Sequence, residues 1–238
     1  MMKNFFKLSM MIVLLTSCHL AFAQDDMIRE QRKVSGFSAV KASGIANVYL
    51  KNGDQEKVEV EVNDKEFNDR LKVEVVNNVL VIRMENTDKW ENRNKDIKLK
   101  VYVTYKNLNS LQGSGATNFY ADDEIKADEF ELKISGANNS KLNLQTRKLD
   151  VESHGAANVS LSGSADELLI EASGASNIKA YDLKAGEVKA KSSGVSNIYV
   201  YAENTLEVKA DGLSNINYKG SAKLVNKEVS KMANVHKH

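Results

Sequence analysis

One short motif recurs along the chain: a glycine followed three residues later by an asparagine. The seven copies are Gly44/Asn47, Gly115/Asn118, Gly136/Asn139, Gly155/Asn158, Gly174/Asn177, Gly194/Asn197 and Gly212/Asn215. From Gly115 onward the glycines are spaced by 21, 19, 19, 20 and 18 residues. Self-similarity at such a period is typical of repeat architectures. We therefore expect a stack of similar units, with no conventional globular domain.

Each unit reads as two or three short strands separated by corners. In the unit that begins at Gly194, Ile198 and Val200 form one apolar set, and Leu206 and Val208 form a second, with polar residues at alternate positions. A unit of about 20 residues is too short for a strand and a helix that both bury a face, and the spaced leucines of leucine-rich repeats are missing. Proline, which cannot donate to a strand ladder, is absent. The sequence predicts an all-β chain, a single-stranded parallel β-helix with about 20 residues per coil.

The segment before the repeats is strand-rich and is expected to contain a hairpin. Two alternating runs flank Asn77-Asn78, a pair that tolerates the positive φ angles of a two-residue turn. Residues 64–70 are polar enough for a loop or one helical turn. The predicted organisation is a signal peptide over 1–23, a solvated polar leader over 24–33, irregular β-rich coils over 34–107, β-helix repeats over 108–224 and a charged cap or tail over 225–238.

The first residues indicate export from the cytoplasm. Lys3 and Lys7 precede a short apolar run, and Ala21-Phe22-Ala23 forms a small-residue cleavage pattern. The run ending at Cys18 also resembles a lipobox, in which the cysteine becomes the lipid attachment site, so both interpretations stay open. Cys18 is the only cysteine, and cleavage after Ala23 would leave 31 basic and 32 acidic residues. This balance provides no global field that would recruit nucleic acid, and we expect membrane association only if Cys18 carries lipid.

The recurring asparagine has two interpretations. Glycine allows a corner conformation that other residues disfavour, and asparagines stacked at one level per coil would satisfy buried corner amides. Serines precede the glycine in five copies and are expected to cap the same corner. The alternative is a row of ligand sites for a repetitive glycan. The structural interpretation needs no ligand, and it predicts that Asn177→Ala lowers the free energy of unfolding by roughly 1 to 3 kcal/mol.

Residues typical of catalysis or metal binding are sparse. His154 lies at a corner without a recognisable serine or cysteine partner, and His236 and His238 lie in the tail. The run Asp122-Asp123-Glu124 lacks a calcium-loop pattern, so we expect no metal and no cofactor. The basic residues that an enzyme on this scaffold could use are Lys184, Lys189 and Lys191, and the acidic ones are Asp150, Glu152, Glu167 and Glu171. Alternating outward charge on a solvated sheet also accounts for all of them.

A charged loop over residues 85–96 contains Trp90, the only tryptophan. Long loops on a strand scaffold often carry binding residues, which makes Trp90 the candidate for a binding site. The alternative is that the ring packs over a nearby apolar edge of the fold.

The order of these features resembles a known family. The opening Phe37-Ser-Ala-Val40-Lys-Ala-Ser-Gly44, the entry Leu111-Gln-Gly-Ser-Gly115 and the iterated Ser-Gly-x-x-Asn corners resemble the family described as putative auto-transporter adhesin, head GIN domain, over residues 34–220. One departure is that Tyr105-Lys-Asn-Leu108 stands where members often have a proline. The resemblance implies a β-helical envelope protein and carries over no catalytic or ligand-binding residues.

These observations together predict an exported, non-enzymatic, adhesin-like or structural protein of the periplasm, outer membrane surface or extracellular space. It would bind a protein or glycan through an extended β-helix surface, without nucleic acid. The alternative is a polysaccharide lyase or hydrolase on the same scaffold, because β-helices also carry such enzymes. A cluster of three or more carboxylates or basic residues in one outer groove would favour the enzyme.

Overall fold

The computed structural model describes residues 27–85 and 96–238 and is nearly all-β, with 77% strand and 3% helix. Twelve strands form one open sheet. The strands are β1 Ile28–Arg32, β2 Ala39–Asn52, β3 Lys57–Val62, β4 Leu71–Val76, β5 Val79–Met84, β6 Leu99–Tyr105, β7 Ser110–Gly174, β8 Asn177–Ser192, β9 Asn197–Ala210, β10 Asn215–Lys219, β11 Lys223–Val229 and β12 Asn234–Lys237. Among the described residues one helix, α1 Lys65–Arg70, follows β3. The all-β prediction is thus confirmed at this level.

Segments one repeat apart pair in parallel, with equivalent positions in register. Strand β2 pairs with β7 so that Gly44 lies opposite Gly115 and Asn47 opposite Asn118. The same register joins β7 to β8, β8 to β9 and β9 to β10. The first copy of the motif therefore stacks directly on the second, although 71 residues separate Asn47 from Asn118.

The intervening residues pack on the other side of β2. The order β1-β3-β6-β2 is followed by β7, and β5 also pairs with β2. The antiparallel hairpin of β4 and β5 turns at Asn77 and Asn78, with φ of 50° and 63°. The Asp64 side chain accepts a hydrogen bond from the Phe67 N–H and caps α1. The hairpin and the helical turn are where the sequence predicts them.

Alternation of inward and outward side chains builds the core. In β6 every second residue is buried, from Leu99 to Tyr105, and the outward positions between them stay partly exposed. Inward residues of successive segments contact each other because they occupy the same position of the repeat. Each segment thus contributes one layer to a continuous apolar core, and polar residues cover the outside.

Two terminal segments differ from expectation. Residues 28–32, expected in a solvated leader, form strand β1 antiparallel to β3. Ile28 and Arg32 at the two ends of this strand are half-buried, whereas the three residues between them are exposed. At the other end β11 and β12 pair in parallel with β9 and β10, with a register shift between Leu224 and Asn226, so residues 225–238 extend the sheet and are not a detached tail, and their capping role stays a prediction.

Candidate functional site

The recurring asparagines form a ladder along one corner of the fold. Neighbouring members lie in strand register, and five contacts join them through side-chain amides. These are Asn118 Nδ2 to Asn47 Oδ1 at 2.8 Å, the Asn139 N–H to Asn118 Oδ1 at 2.6 Å, Asn158 Nδ2 to Asn139 Oδ1 at 3.2 Å, Asn215 Nδ2 to Asn197 Oδ1 at 3.0 Å and Asn234 Nδ2 to Asn215 Oδ1 at 3.1 Å. Asn234 is a member that the Gly-x-x-Asn pattern missed, because Lys231 stands at its glycine position.

The ladder is not buried, contrary to the expectation from sequence. Asn139 and Asn158 are exposed, and Asn47, Asn118 and Asn177 are half-buried. The asparagine side chain lies on the outer side of the corner because the residue before it and the residue after it both point inward. Its amide bonds therefore compete with water, which reduces what each contributes to stability.

Buried polar groups satisfy the corner instead. In five of the seven copies the residue before the asparagine donates a side-chain hydrogen bond to the carbonyl of the residue before the glycine, and in the other two it is an alanine. Examples are Thr117 to Ser114 O at 2.9 Å, Ser196 to Ser193 O at 2.6 Å and Ser214 to Asp211 O at 2.7 Å. The expected capping role belongs to these inward residues, while the serines before the glycines contribute their carbonyls. The signal that could have revealed them was a small residue at every such position.

One outer face of the molecule, which we call the tyrosine face, follows the ladder. It consists of the outward side chains two residues after each asparagine, together with Tyr102, which pairs with Tyr49. Its members are Tyr102, Tyr49, Tyr120, Lys141, Ser160, Lys179, Tyr199, Asn217 and His236. Sequence analysis did not select this face, although three of its tyrosines share one offset from the motif.

The first groove on this face has a volume of about 550 Å³, and Tyr49 and Tyr102 are among its lining residues. Tyr49 stacks between Tyr102 and Tyr120, with ring centroids 5.3 Å apart on both sides. The Arg29 guanidinium lies 5.8 Å from the centroid of the Tyr102 ring. Burial raises the pKa of Tyr120, and the neighbouring Tyr49 adds to the shift. Because Tyr49 is covered on both ring faces, this groove presents ring edges and hydroxyl groups to a ligand.

Charged groups fix the wall of the first groove. The Glu61 carboxylate bonds to Arg29 from one adjacent strand and to Lys100 Nζ at 3.0 Å from the other. Glu61 is only 7% exposed, and these hydrogen bonds lower its pKa. The ion pair holds β1, β3 and β6 in register and keeps Arg29 beside the tyrosine stack.

The second groove, of about 400 Å³, lies where the repeat is interrupted. Its lining residues are Lys141, Ser160, Leu161, Ser162, Lys179, Tyr181, Asp182 and Tyr199. Lys179 pairs with Ser160, but Asp182 pairs with Ser162, so β8 carries one extra residue relative to β7. Relative to β9 the register shifts between Ala180 and Lys184. Such bulges redirect side chains away from the regular alternation.

Tyr181 lies on this bulge, and three side chains from later in the chain lie next to its ring. Its ring meets Tyr199 edge-on at 5.4 Å, and Lys219 Nζ lies 4.3 Å from its ring centroid. The ring of His238 lies 6.4 Å away. Burial raises the pKa of Tyr181, so the phenol stays protonated at neutral pH. Its hydroxyl oxygen is buried and has no hydrogen-bond partner within the described part of the chain.

The opposite face is charged, and its charges pair across neighbouring strands. Lys191 contacts Glu171 at 2.6 Å, Lys189 contacts Glu207 at 3.1 Å and Lys209 contacts Glu228 at 3.0 Å. Lys133 lies 2.7 Å from Glu131 and 3.5 Å from Glu152, and Arg147 lies 3.9 Å from Glu167. Most residues that the sequence offered to an enzyme are therefore engaged in exposed ion pairs.

Two features of the charged face bear on catalysis. Burial raises the pKa of Asp150, and Glu152 and Glu131 add to the shift. His154 Nδ1 lies 2.7 Å from Ser173 Oγ, so the expectation of a corner without a serine partner is wrong. The two residues are 19 positions apart and meet because they occupy equivalent corners. A groove of about 310 Å³ beside them contains Glu152 and His154 but neither Glu131 nor Asp150.

Several residues singled out from the sequence receive no test from this geometry. Cys18 and Trp90 lie outside the described residues, as does the predicted signal peptide. In residues 27–85 and 96–238 no group of three or more His, Cys, Asp or Glu side chains could hold a metal ion. His238, one of the two tail histidines, has its Nε2 atom 3.2 Å from Asn217 Oδ1.

A helix of the length and hydropathy needed to span a membrane is not found in residues 27–85 or 96–238.

Comparison with known proteins identifies relatives. The model of a family described as "Putative auto-transporter adhesin, head GIN domain" matches residues 36–222. A crystal structure of a putative adhesin from Bacteroides fragilis shares 24% identity, with a TM-score of 0.81 over 90% of this chain and 98% of that one. A putative adhesin from Parabacteroides merdae (22%) and a putative lipid binding protein from Parabacteroides distasonis (19%) each have a TM-score of 0.67, covering 89% of this chain and 96% of theirs. No curated protein matches significantly. At these identities the solved structures demonstrate a shared fold.

Proposed function

The chain belongs to the head GIN domain family of putative auto-transporter adhesins, and on that premise we propose that it is an exported, non-enzymatic envelope protein that binds a partner along its tyrosine face. The partner class is a glycan polymer or a protein that presents repeated polar groups. The fold then acts as a rigid scaffold, and the outward side chains provide recognition.

We infer further that the repeated segments form a parallel β-helix, with one coil per motif. Support comes from the parallel register between segments one repeat apart and from the corner glycines, which stack so that Gly136 lies against Gly115. In such a stack each coil adds about 4.8 Å along the axis. Equivalent outward residues then form straight rows, and the tyrosine face is one continuous surface.

The observation that carries the binding proposal is the contrast between the two faces. On the charged face, lysines such as Lys133, Lys189 and Lys191 pair with carboxylates of neighbouring strands. On the tyrosine face, Lys141 and Lys179 are exposed and make no ion pair within the described residues. Tyrosine hydroxyls and uncommitted cations are groups that a polar partner can engage without breaking an internal contact.

The spacing of the grooves suits an extended partner. Tyr49 in the first groove and Tyr199 in the second are five coils apart, which corresponds to about 24 Å along the stack. A polymer that contacts both grooves would bind by two linked contacts, and the second gains from the high effective concentration that the first creates. Adhesion through weak individual contacts is consistent with this arrangement.

A glycan array probed with the purified full chain tests the proposal. We expect binding to at least one class of saccharide and a loss of that signal in Tyr102→Ala/Tyr199→Ala, which removes one lining ring from each groove. The matched control Glu171→Ala/Lys191→Ala alters the charged face and should leave binding unchanged. The proposed binding face would be contradicted if both double variants lost saccharide binding equally. It would also be contradicted if the protein bound no ligand on the array or in envelope extracts.

Export and lipid attachment are tested separately. Cell fractionation followed by intact-mass measurement distinguishes cleavage after Ala23 from lipid addition at Cys18. A mass increase that disappears in Cys18→Ser would assign the protein to a lipidated, membrane-held form. An unprocessed chain that stays in the cytoplasm would contradict the envelope location.

The second candidate function is a carbohydrate-active enzyme. It is favoured by Asp150, whose raised pKa and acidic neighbours Glu131 and Glu152 are features of glycosidase carboxylates. Against it, Lys133 pairs with both glutamates, and the adjacent groove holds only one of the three carboxylates. Release of reducing ends from polysaccharides by the parent, abolished in Asp150→Asn and retained in Tyr120→Ala, would favour the enzyme over the binding protein.

A further inference from the structure

We propose that the second groove binds a single anionic sugar residue, held by Lys141 and Lys179, by the serine hydroxyls and by the Tyr181 hydroxyl. The proposal rests on the proposed function, because it names the ligand class for one part of the tyrosine face. Beyond that function, it assigns a ligand to the second groove, requires that ligand to be negatively charged, and gives the bulge in β8 a role in binding.

The bulge creates the shape of the site. In a regular coil the residue after Ala180 would stay in register with the neighbouring strand and keep the alternation of inward and outward side chains. The outer surface would then be flat. The register shifts on both sides of β8 instead take Tyr181 and Asp182 out of register with the neighbouring strands, next to Ser160 and Lys179 in the same groove. The resulting groove of about 400 Å³ lies within the range of small-ligand sites.

Neighbouring side chains hold the ring of Tyr181 in place. Tyr199, Lys219 and His238 lie next to this ring, which restricts its rotation. A buried hydroxyl without a partner normally costs free energy, and a ligand that accepts its hydrogen bond would recover that cost. An orphaned phenol lining a groove is therefore evidence for a polar ligand atom at this place.

The charges define the ligand more closely. Lys141 and Lys179 flank Ser160 on the same row, one repeat away on either side. Asp182 lies on the wall of the same groove, so the lining carries two positive charges and one negative charge. This balance favours a ligand with one negative charge over a phosphate-rich polyanion, which Asp182 would repel.

The neutral groups indicate a sugar. Ser160, Ser162 and the tyrosine hydroxyls donate and accept hydrogen bonds, and Asp182 accepts them, which matches a ligand rich in hydroxyl groups. The tyrosine rings offer apolar surface for the C–H groups of a pyranose. A carboxylate or a sulfate on such a sugar would provide the single negative charge.

The test is titration calorimetry of the full chain with three probes: a galactose trimer with one galacturonic acid residue, the same trimer with one sulfate group, and neutral galactotriose. We expect the two charged oligomers to bind. The neutral oligomer should bind at least about tenfold more weakly, because it lacks one hydrogen bond to a charged group. Added salt should weaken the binding of the charged probes. Preference between the first two probes distinguishes a carboxylated from a sulfated ligand.

Three variants separate the site from general charge and stability effects. Lys179→Gln should weaken binding about tenfold, whereas Lys184→Gln, which removes the same charge from the same strand outside the lining, should not. Tyr181→Phe should weaken binding while leaving the melting temperature unchanged or raised, because its hydroxyl makes no bond within the described residues.

Each outcome decides the proposal. Equal binding of neutral and charged probes, equal effects of the two lysine variants, or unaffected binding in Tyr181→Phe would overturn it, and the proposed function would stand if another ligand binds the tyrosine face. If no probe binds while an array ligand does, only the sugar assignment fails. If no ligand of any class depends on the tyrosine face, both proposals fail together.

Discussion

The side-chain amide of Asn234 donates a hydrogen bond to Asn215 Oδ1 at 3.1 Å. This contact extends the asparagine ladder one step beyond the last Gly-x-x-Asn motif. Strand β12 is parallel to β10 in the same register, with Asn234 opposite Asn215. The C-terminal residues are therefore built like the repeats, and the ladder marks the register even where the glycine is lost.

The ladder bonds should stabilise the fold unequally. Asn118 donates to Asn47 and accepts from the Asn139 N–H, whereas within the described residues no side-chain bond joins Asn177 to a neighbouring asparagine. We expect Asn118→Ala to reduce the free energy of unfolding by about 1–2 kcal/mol and Asn177→Ala by less. Urea unfolding of both variants measures the difference. Equal losses would mean that the amide bonds do not determine the cost.

The corner glycines allow a matched test of close stacking. A Cβ on Gly136 would lie 2.5 Å from Gly115 O, whereas a Cβ on Gly44 would meet nothing within 4 Å. Both residues have positive φ, 98° and 93°. Gly44→Ala should cost about 1–2 kcal/mol from backbone strain, and Gly136→Ala roughly 1–3 kcal/mol more from the clash. Thermal unfolding checks this order, and similar melting temperatures would argue against tight stacking.

Tyr105 should make the protein sensitive to alkaline pH. Its ring is 2% exposed, its hydroxyl has no partner in the described residues, and burial, with a smaller effect of Asp123, raises its pKa to about 12. The unfolded chain ionises near pH 10, so stability is complete below that pH and falls as pH rises toward 12. The loss should reach about 1 kcal/mol by pH 11. Tyr105→Phe should remove this component and keep or raise stability at pH 7, as measured by denaturant unfolding across pH.

Glu61 should make the N-terminal strands sensitive to acid. Hydrogen bonds from Arg29 and Lys100 lower its pKa below the value in the unfolded chain. Its stabilising contribution is thus present above the unfolded pKa and is lost as pH falls through the folded value. Glu61→Gln should lower the melting temperature at pH 7, and this effect should shrink steadily as pH falls below the ordinary pKa of a glutamate. An effect that stays the same across the acidic range would exclude the ion pair as the cause.

Much of the fold follows from the sequence because the repeat is local and regular. The hairpin at Asn77-Asn78 and the register of Asn47 on Asn118 could be predicted from turn chemistry and period. The outward position of the ladder could not be predicted, because the motif does not reveal on which side of the corner the asparagine lies. The Ser196 hydroxyl, which does bond the corner carbonyl, is signalled only by a small residue at that position of each repeat, and this signal does not distinguish a serine that caps from an alanine such as Ala157.

The candidate grooves were the least predictable part. Tyr102 and Tyr120 meet through Tyr49, although 53 and 71 residues separate it from them. Tyr181 reaches its position only because β8 is bulged, and a bulge is an exception to the period from which the rest was inferred.

Residue spacing along the chain is enough to predict four features of this protein. They are the strand-rich class, the repeat, the corner positions and the alternation of inward and outward residues. The tertiary structure decided which outward side chains meet. Those contacts depend on the strand insertion before β7, on the bulge at Tyr181 and on which charges pair across strands, and none of these follows from a period. For the same reason, the Asn ladder is a feature of the fold, and the candidate ligand site lies where its regular rows are broken.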